Sequence, residues 1–295
     1  MGQRTETSKP EILIALLGVT GAGKTTFARL VSGDTSLKVG HSIHSCTQEP
    51  EVVRFKFSGY PIVLIDTPGF DDDSRSDVEI LEELAAWMAQ HGHLKHKQLD
   101  GLILLHPITV LRAGGAERKR TRLLKNILGP QAYKHIVIAT TMHEHLNSEA
   151  DINERVDGRR QELWGDMVNQ GTKLVQHFNN KESADNIIDM IIQISKKLGK
   201  LRSLLQDELA RDPRLIETTA GKDVKKQLEE EIRKVTTQLE QNRGKRPRKP
   251  LKRDKSQAGI TARRAWRDWR DDQKELEEKL AMLQFRLKRL NSLSY

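Results

Sequence analysis

Short apolar, β-branched runs alternate with longer amphipathic stretches over the first 200 residues. The runs Ile12–Leu17, Val52–Phe57, Pro61–Ile65, Gly101–His106, His135–Ala139 and Lys173–His177 predict strands. Lys24–Ser32, Asp77–Gln90, Ala116–Leu128, Asp151–Asn169 and Ser183–Leu198 predict helices. Strands separated by helices read as βαβ units with a parallel sheet. The second and third runs are joined only by Ser58-Gly59-Tyr60, the length of a hairpin, so one edge strand is expected to be antiparallel. The expected fold class is α/β, a three-layer α/β/α domain with a mostly parallel sheet.

The pattern changes after residue 198. Val224, Leu228, Ile232, Val235 and Leu239 form one apolar seam at steps of four and three, and Leu276, Leu280, Leu283, Leu287 and Leu290 form another. That spacing predicts a C-terminal helical or coiled-coil region. The helices are free to fold back as an antiparallel hairpin, pair with another chain, or pack on the first domain. Pro247 and Pro250 interrupt the helices within a strongly basic run. The expected organisation is a flexible N-terminus at 1–10, a nucleotide-binding domain at 11–198, a helical extension at 199–243, a basic disordered linker at 244–262, and a final helix at 263–295.

Charge follows the same division. The formal net charge is +9. Residues 1–199 hold 24 Lys and Arg against 25 Asp and Glu, and residues 200–295 hold 26 against 16. An electrostatic partner is therefore sought at the tail. The basic run reads as a solvated connector, as a contact for anionic lipid, or as a nucleic-acid patch, the last being disfavoured. Trp266 and Trp269 tilt the reading toward a membrane surface, because Trp favours interfaces, although they serve equally well inside a hairpin. The single cysteine, Cys46, rules out an intrachain disulfide and fits a reducing compartment. Residues 1–10 are polar, and no run reaches the roughly 18 apolar residues of a membrane span. A soluble cytoplasmic protein is the expectation, with peripheral membrane contact as one reading of the basic run.

Candidate chemistry sits where the strands end. Residues 18–25, Gly-Val-Thr-Gly-Ala-Gly-Lys-Thr, match the phosphate-binding loop G-x-x-x-x-G-K-[ST]. The motif falls between a strand and a helix, so its N–H groups converge at a helix N-terminus. Gly18, Thr20, Gly21, Ala22, Gly23, Lys24, Thr25 and Thr26 are the candidate phosphate contacts. Lys24 is placed to reach the β- and γ-phosphates, and the Thr25 hydroxyl to ligate Mg²⁺. A second motif, Asp66-Thr67-Pro68-Gly69, caps the third strand. Asp66 is the candidate for holding Mg²⁺ through water. Gly69 is the candidate for a backbone hydrogen bond to the γ-phosphate, which hydrolysis would break. Between the motifs, Thr47 is the first choice for completing the Mg²⁺ shell, with Ser42 and Ser45 as alternatives on the same loop.

These residues resemble the septin-like branch of P-loop GTPases. The resemblance is strongest to the immune-associated nucleotide-binding (avirulence-induced, or paraseptin) family and its fungal relatives. It rests on Gly18–Thr25, Ser45-Cys46-Thr47, Asp66-Thr67-Pro68-Gly69-Phe70, and His106-Pro107-Ile108-Thr109 with Arg112 and Gly115. It continues through Ala139-Thr140-Thr141-Met142 and Phe178-Asn179-Asn180-Lys181, covering about residues 10–198. It implies GTP or GDP with Mg²⁺ as ligands. Thr141 and Glu144 would meet the base, with Asn179 and Asn180 beside it. GTPases usually carry [NT]-K-x-D, whereas this chain has Met142 for the Lys and Glu144 for the Asp, with His145 as an alternative contact. Phe70 stands where small GTPases place the Gln that orients water, so slow hydrolysis is expected. Arg112 is the candidate for stabilising charge during hydrolysis, in cis or across a dimer. A homodimer through the G domain or the helical tail is one candidate assembly. A P-loop ATPase and a non-hydrolysing scaffold acting through its tail remain the alternatives.

Overall fold

The computed structural model describes residues 9–36, 51–66, 76–90, 98–109, 113–146, 148–250 and 256–295. Thr47, Gly69, Phe70 and Arg112 lie outside them. The chain forms two compact units, Met1–Ala210 and Arg211–Tyr295.

The first unit is built on a six-stranded sheet in the order β2-β3-β1-β4-β5-β6. The strands are β1 (Ile12–Gly18), β2 (Glu51–Phe57), β3 (Tyr60–Asp66), β4 (Gly101–Pro107), β5 (Ile136–Thr141) and β6 (Lys173–Gln176). Every pairing is parallel except β2 with β3, where the expected hairpin forms through Ser58 and Gly59. β1 and β5 are buried along their whole length, so they read as continuous apolar runs rather than alternating ones.

The helices are α1 (Lys24–Ser32), α2 (Asp77–Gln90), α3 (Gly115–Leu128), α4 (Glu149–Arg159), α5 (Gly165–Asn169), α6 (Lys181–Leu198) and α7 (Leu204–Leu209). On one face of the sheet Ile14, Leu16, Leu64 and Ile103 pack with Phe27 and Val31 of α1 and with Ile187, Ile188 and Ile191 of α6. Successive strand residues point to opposite faces, and Leu13, Val63 and Ile65 are buried in a second cluster. A π-helical turn, Arg160–Trp164, joins α4 to α5, so the stretch read as one helix has three parts.

Two boundaries differ from those read in the sequence. The first unit runs twelve residues past 198 because α7 contacts α2 and α3. The last helix begins at Gln257, inside the stretch read as linker, where Ser256 Oγ accepts from Gly259 N at 3.1 Å. A Ser cap of this kind is a recognised start signal.

The second unit is an antiparallel helical hairpin of α8 (Thr219–Gly244) and α9 (Gln257–Ser292). The direction follows from the cross-links: Glu231 with Lys279 at one level, Asn242 with Trp269 and Gln273 at another. Val224, Leu228, Val235 and Leu239 are buried together with Leu283 and Leu290. Among the described residues, no helix is long and apolar enough to cross a membrane.

Candidate functional site

The carboxyl ends of the central strands form one rim. Leu16 pairs with Asp66, Gly18 with Leu105, His106 with Thr140, and Pro107 with Thr141. Strand order reverses on either side of β1, and such a switch point is where open α/β sheets bind ligands. The phosphate-loop motif leaves β1 there.

Gly18 packs against the backbone of β4. A Cβ at this position would lie 2.6 Å from Leu105 O. Beyond it the loop closes with Ala22 N donating to Val19 O at 2.9 Å. Gly21 and Gly23 adopt φ +80° and +94°, and nothing lies within 4 Å of where their Cβ atoms would be. The loop is therefore unobstructed at these two positions, next to the N-terminus of α1. Gly23 is the N-cap and supplies no capping side chain, so the first-turn N–H groups meet a bare helix end. Lys24 Nζ donates to Gly18 O at 2.7 Å and to Val19 O at 3.4 Å. Thr20 is exposed, and Thr25 and Thr26 are half-buried in the first turn of α1. Asp66 is the last residue of β3.

The loops expected at the base end are held by contacts of their own. Thr141 is buried, and its Oγ1 donates to Ala22 O at 3.1 Å. The hydroxyl thus braces the phosphate loop from β5. Glu144 is exposed on the short turn His143–His145, with His145 Nε2 4.0 Å from Glu144 Oε1. Asn179 is exposed, and Asn180 is the N-cap of α6, accepting from Ser183 N at 2.9 Å through Oδ1. Met142 and Asn179 both have positive φ, 65° and 52°. Left-handed residues of this kind cluster at functional loops, and one stands in each loop flanking the expected base position.

Two buried histidines, absent from the sequence reading, tie these loops together. His143 Nε2 lies 3.0 Å from Thr140 Oγ1, and its ring centroid is 5.4 Å from that of Phe178. His177 Nδ1 lies 2.8 Å from Ser183 Oγ, and its ring meets Phe27 edge-on at 5.3 Å. Burial is the first cause holding both below their ordinary values, His177 down to about 4, with His143 adding to the effect on His177. Both are neutral at pH 7. The only sequence signal was their position just past strand ends.

A buried polar cluster stands where β4 ends. Glu117 Oε1 is 2.7 Å from His106 Nε2 and 2.9 Å from Arg159 Nε, and Arg159 is 2% exposed. Burial opposes ionisation of Glu117, but the His106 hydrogen bond and the charges of His106 and Arg159 outweigh it, leaving the carboxyl below its usual range. Trp164, in the π-helical turn, meets His106 edge-on at 4.8 Å. Arg155 Nη1 donates to Thr109 O at 2.5 Å, holding the chain just before the segment that carries Arg112.

Residues 12–210 match the model of the AIG1 family. The chain belongs to the AIG1 family. It is similar to GTP-binding protein A of Dictyostelium discoideum, 30% identical over 131 residues, which covers 44% of this chain and 28% of that protein. It is also similar to GTPase IMAP family member 8 of Rattus norvegicus, 21% identical over 197 residues, which covers 66% of this chain and 26% of that protein. The chain thus matches a little over a quarter of each relative's length. Among solved structures, the AIG1 domain resembles Toc33 from Arabidopsis thaliana in complex with GDP and Mg²⁺. The TM-score is 0.52 at 16% identity, covering 65% of this chain and 86% of that one. A further match is a structure described under the finding that dimerization is important for the GTPase activity of the chloroplast translocon components atToc33 and psToc159. Its TM-score is 0.51 at 15% identity, covering 63% of this chain and 83% of that one. At these identities the likeness is one of fold. The AIG1 domain therefore has a P-loop G-domain architecture, with the phosphate loop at its switch point.

Proposed function

We propose that the AIG1 domain binds a guanine nucleotide with Mg²⁺ and hydrolyses GTP slowly, serving as a nucleotide-controlled switch. The observation that carries this reading is the open phosphate loop. Gly21 and Gly23 are left-handed with no atom in their Cβ space, at an uncapped helix N-terminus on the switch point of the sheet. Relatives described as a GTP-binding protein and a GTPase support guanine over adenine.

In this reading Lys24 turns from the carbonyls of Gly18 and Val19 to the β- and γ-phosphates, and the loop N–H groups of residues 20–26 surround them. The donor set fits a hard cation, because Thr25, Thr47 and Asp66 offer oxygen ligands or hold water around one. Bound Mg²⁺ would supply charge neutralisation between the phosphates. Gly69 reports the γ-phosphate through its N–H. Glu144 accepts from the guanine N1 and N2 groups, with Asn179 and Asn180 on the opposite loop. Phe70 cannot orient water, which makes intrinsic turnover slow, and Arg112 stabilises charge in cis or from a second copy. Dimerisation through the G domain is consistent with the description of the Toc33 structure.

Titration calorimetry with GDP, GTP and ATP tests the reading. The chain is expected to bind the guanine nucleotides at least ten-fold more tightly than ATP, and Lys24→Ala to lose that binding, a change of about 1.4 kcal/mol per factor of ten. Equal affinity for ATP, or Lys24→Ala binding as tightly as the parent, overturns it.

A further inference from the structure

The second unit carries the largest concentration of charge in the chain. Residues 243–270 hold twelve Lys and Arg against Asp254 and Asp268, a net of +10, more than the +9 of the whole protein. The structure shows how this basic end is held. The Arg246 guanidinium carbon lies 5.2 Å from the Trp266 ring centroid and 5.5 Å from that of Trp269. The two rings are themselves 5.2 Å apart. Trp269 Nε1 donates at 2.8 Å to Asn242 O, in the last turn of α8. The tryptophans clamp the hairpin end, with their faces against Arg246 and each other.

Some of these cations have acidic partners, Arg243 with Glu277 and Arg270 with Asp271, and further along the hairpin Lys279 pairs with Glu231 and Lys274 with Glu278. Lys245, Arg248, Lys249, Arg264 and Arg267 are exposed and make no ion pair among the described residues. Ile260, 50% exposed, lies at i−4 and i−7 from Arg264 and Arg267, hence on the same face of α9.

We propose that this end of the hairpin docks on the surface of an anionic lipid bilayer, with Ile260 entering the head-group layer among the basic side chains. Each Lys or Arg near such a surface contributes roughly a five-fold gain in affinity, so five exposed groups acting together suffice for stable attachment. Single-stranded nucleic acid is disfavoured because binding it without sequence preference relies on aromatic faces that stack on bases, and here the rings of Trp266 and Trp269 are taken up by Arg246 and by each other.

The test is co-sedimentation of the full chain with vesicles of phosphatidylserine mixed with phosphatidylcholine, and with vesicles of phosphatidylcholine alone. Sedimentation with the first and not the second, reversed by salt, is expected. Lys245→Gln/Arg248→Gln/Lys249→Gln should weaken binding by at least twenty-fold with the circular dichroism spectrum and nucleotide affinity unchanged, on roughly five-fold per charge. Ile260→Ser should weaken it several-fold without changing its salt dependence. No sedimentation with anionic vesicles, equal sedimentation with neutral ones, or an unaltered triple variant overturns the proposal. Release of vesicle-bound protein by an equal phosphate concentration of single-stranded RNA would reassign the surface to nucleic acid.

Discussion

Gly18 is glycine because β4 runs so close that a methyl group would strike the Leu105 carbonyl, a main-chain atom that cannot rotate away. Gly18→Ala should therefore cost about 1–3 kcal/mol of stability, as overpacking does, read from the urea midpoint. Thr141→Val keeps the volume but removes the donor to Ala22 O, leaving a buried carbonyl short of a partner. A loss of about 1–3 kcal/mol is expected, with weaker nucleotide binding because the phosphate loop loses its brace from β5. His177 gives a pH signature. Its folded-state value is depressed to about 4, so between pH 6.5 and 4 the unfolded chain binds more protons than the folded one. Stability is fully present above pH 6.5 and falls as the pH drops through that window. Urea midpoints at pH 7 and pH 5 should differ, and His177→Gln should shrink the difference.

At the scale of elements, the cluster at the end of β4 joins three of them: His106 on β4, Glu117 in the first turn of α3, and Arg159 at the end of α4. Glu117→Gln removes the carboxylate that His106 Nε2 and Arg159 Nε share. Losing a charge-assisted hydrogen bond of this kind should cost about 1–3 kcal/mol, measurable by chemical denaturation. Nothing in the sequence marked this cluster, because its members are 53 residues apart at most and meet only once the sheet is assembled. The strands were legible, since each is an apolar run in a parallel sheet where both faces are covered. The phosphate loop was legible because its chemistry is written in contiguous residues. Thr141 was read as a base contact; its hydroxyl is turned toward Ala22 O, an orientation that no local pattern encodes. The first turns of α9, residues 257–262, were read as linker for a different reason: they adjoin the basic run, and the leucine spacing begins only at Leu276.

At the scale of the whole molecule, each unit has its own buried core, one around the sheet and one between α8 and α9. A chain ending at Ala210 should therefore fold and keep its nucleotide affinity within a few-fold, while losing vesicle binding altogether. Loss of nucleotide affinity in that truncation would mean that the helical hairpin supports the G domain directly. The hydrogen bonds of Lys24 bear on the same question of independence. An ammonium group already resting on two main-chain oxygens is not stranded when its ligand departs. On the proposed function, arrival of a triphosphate would be a trade of partners and departure would restore the earlier ones, so the charge would keep company in occupied and vacant forms alike.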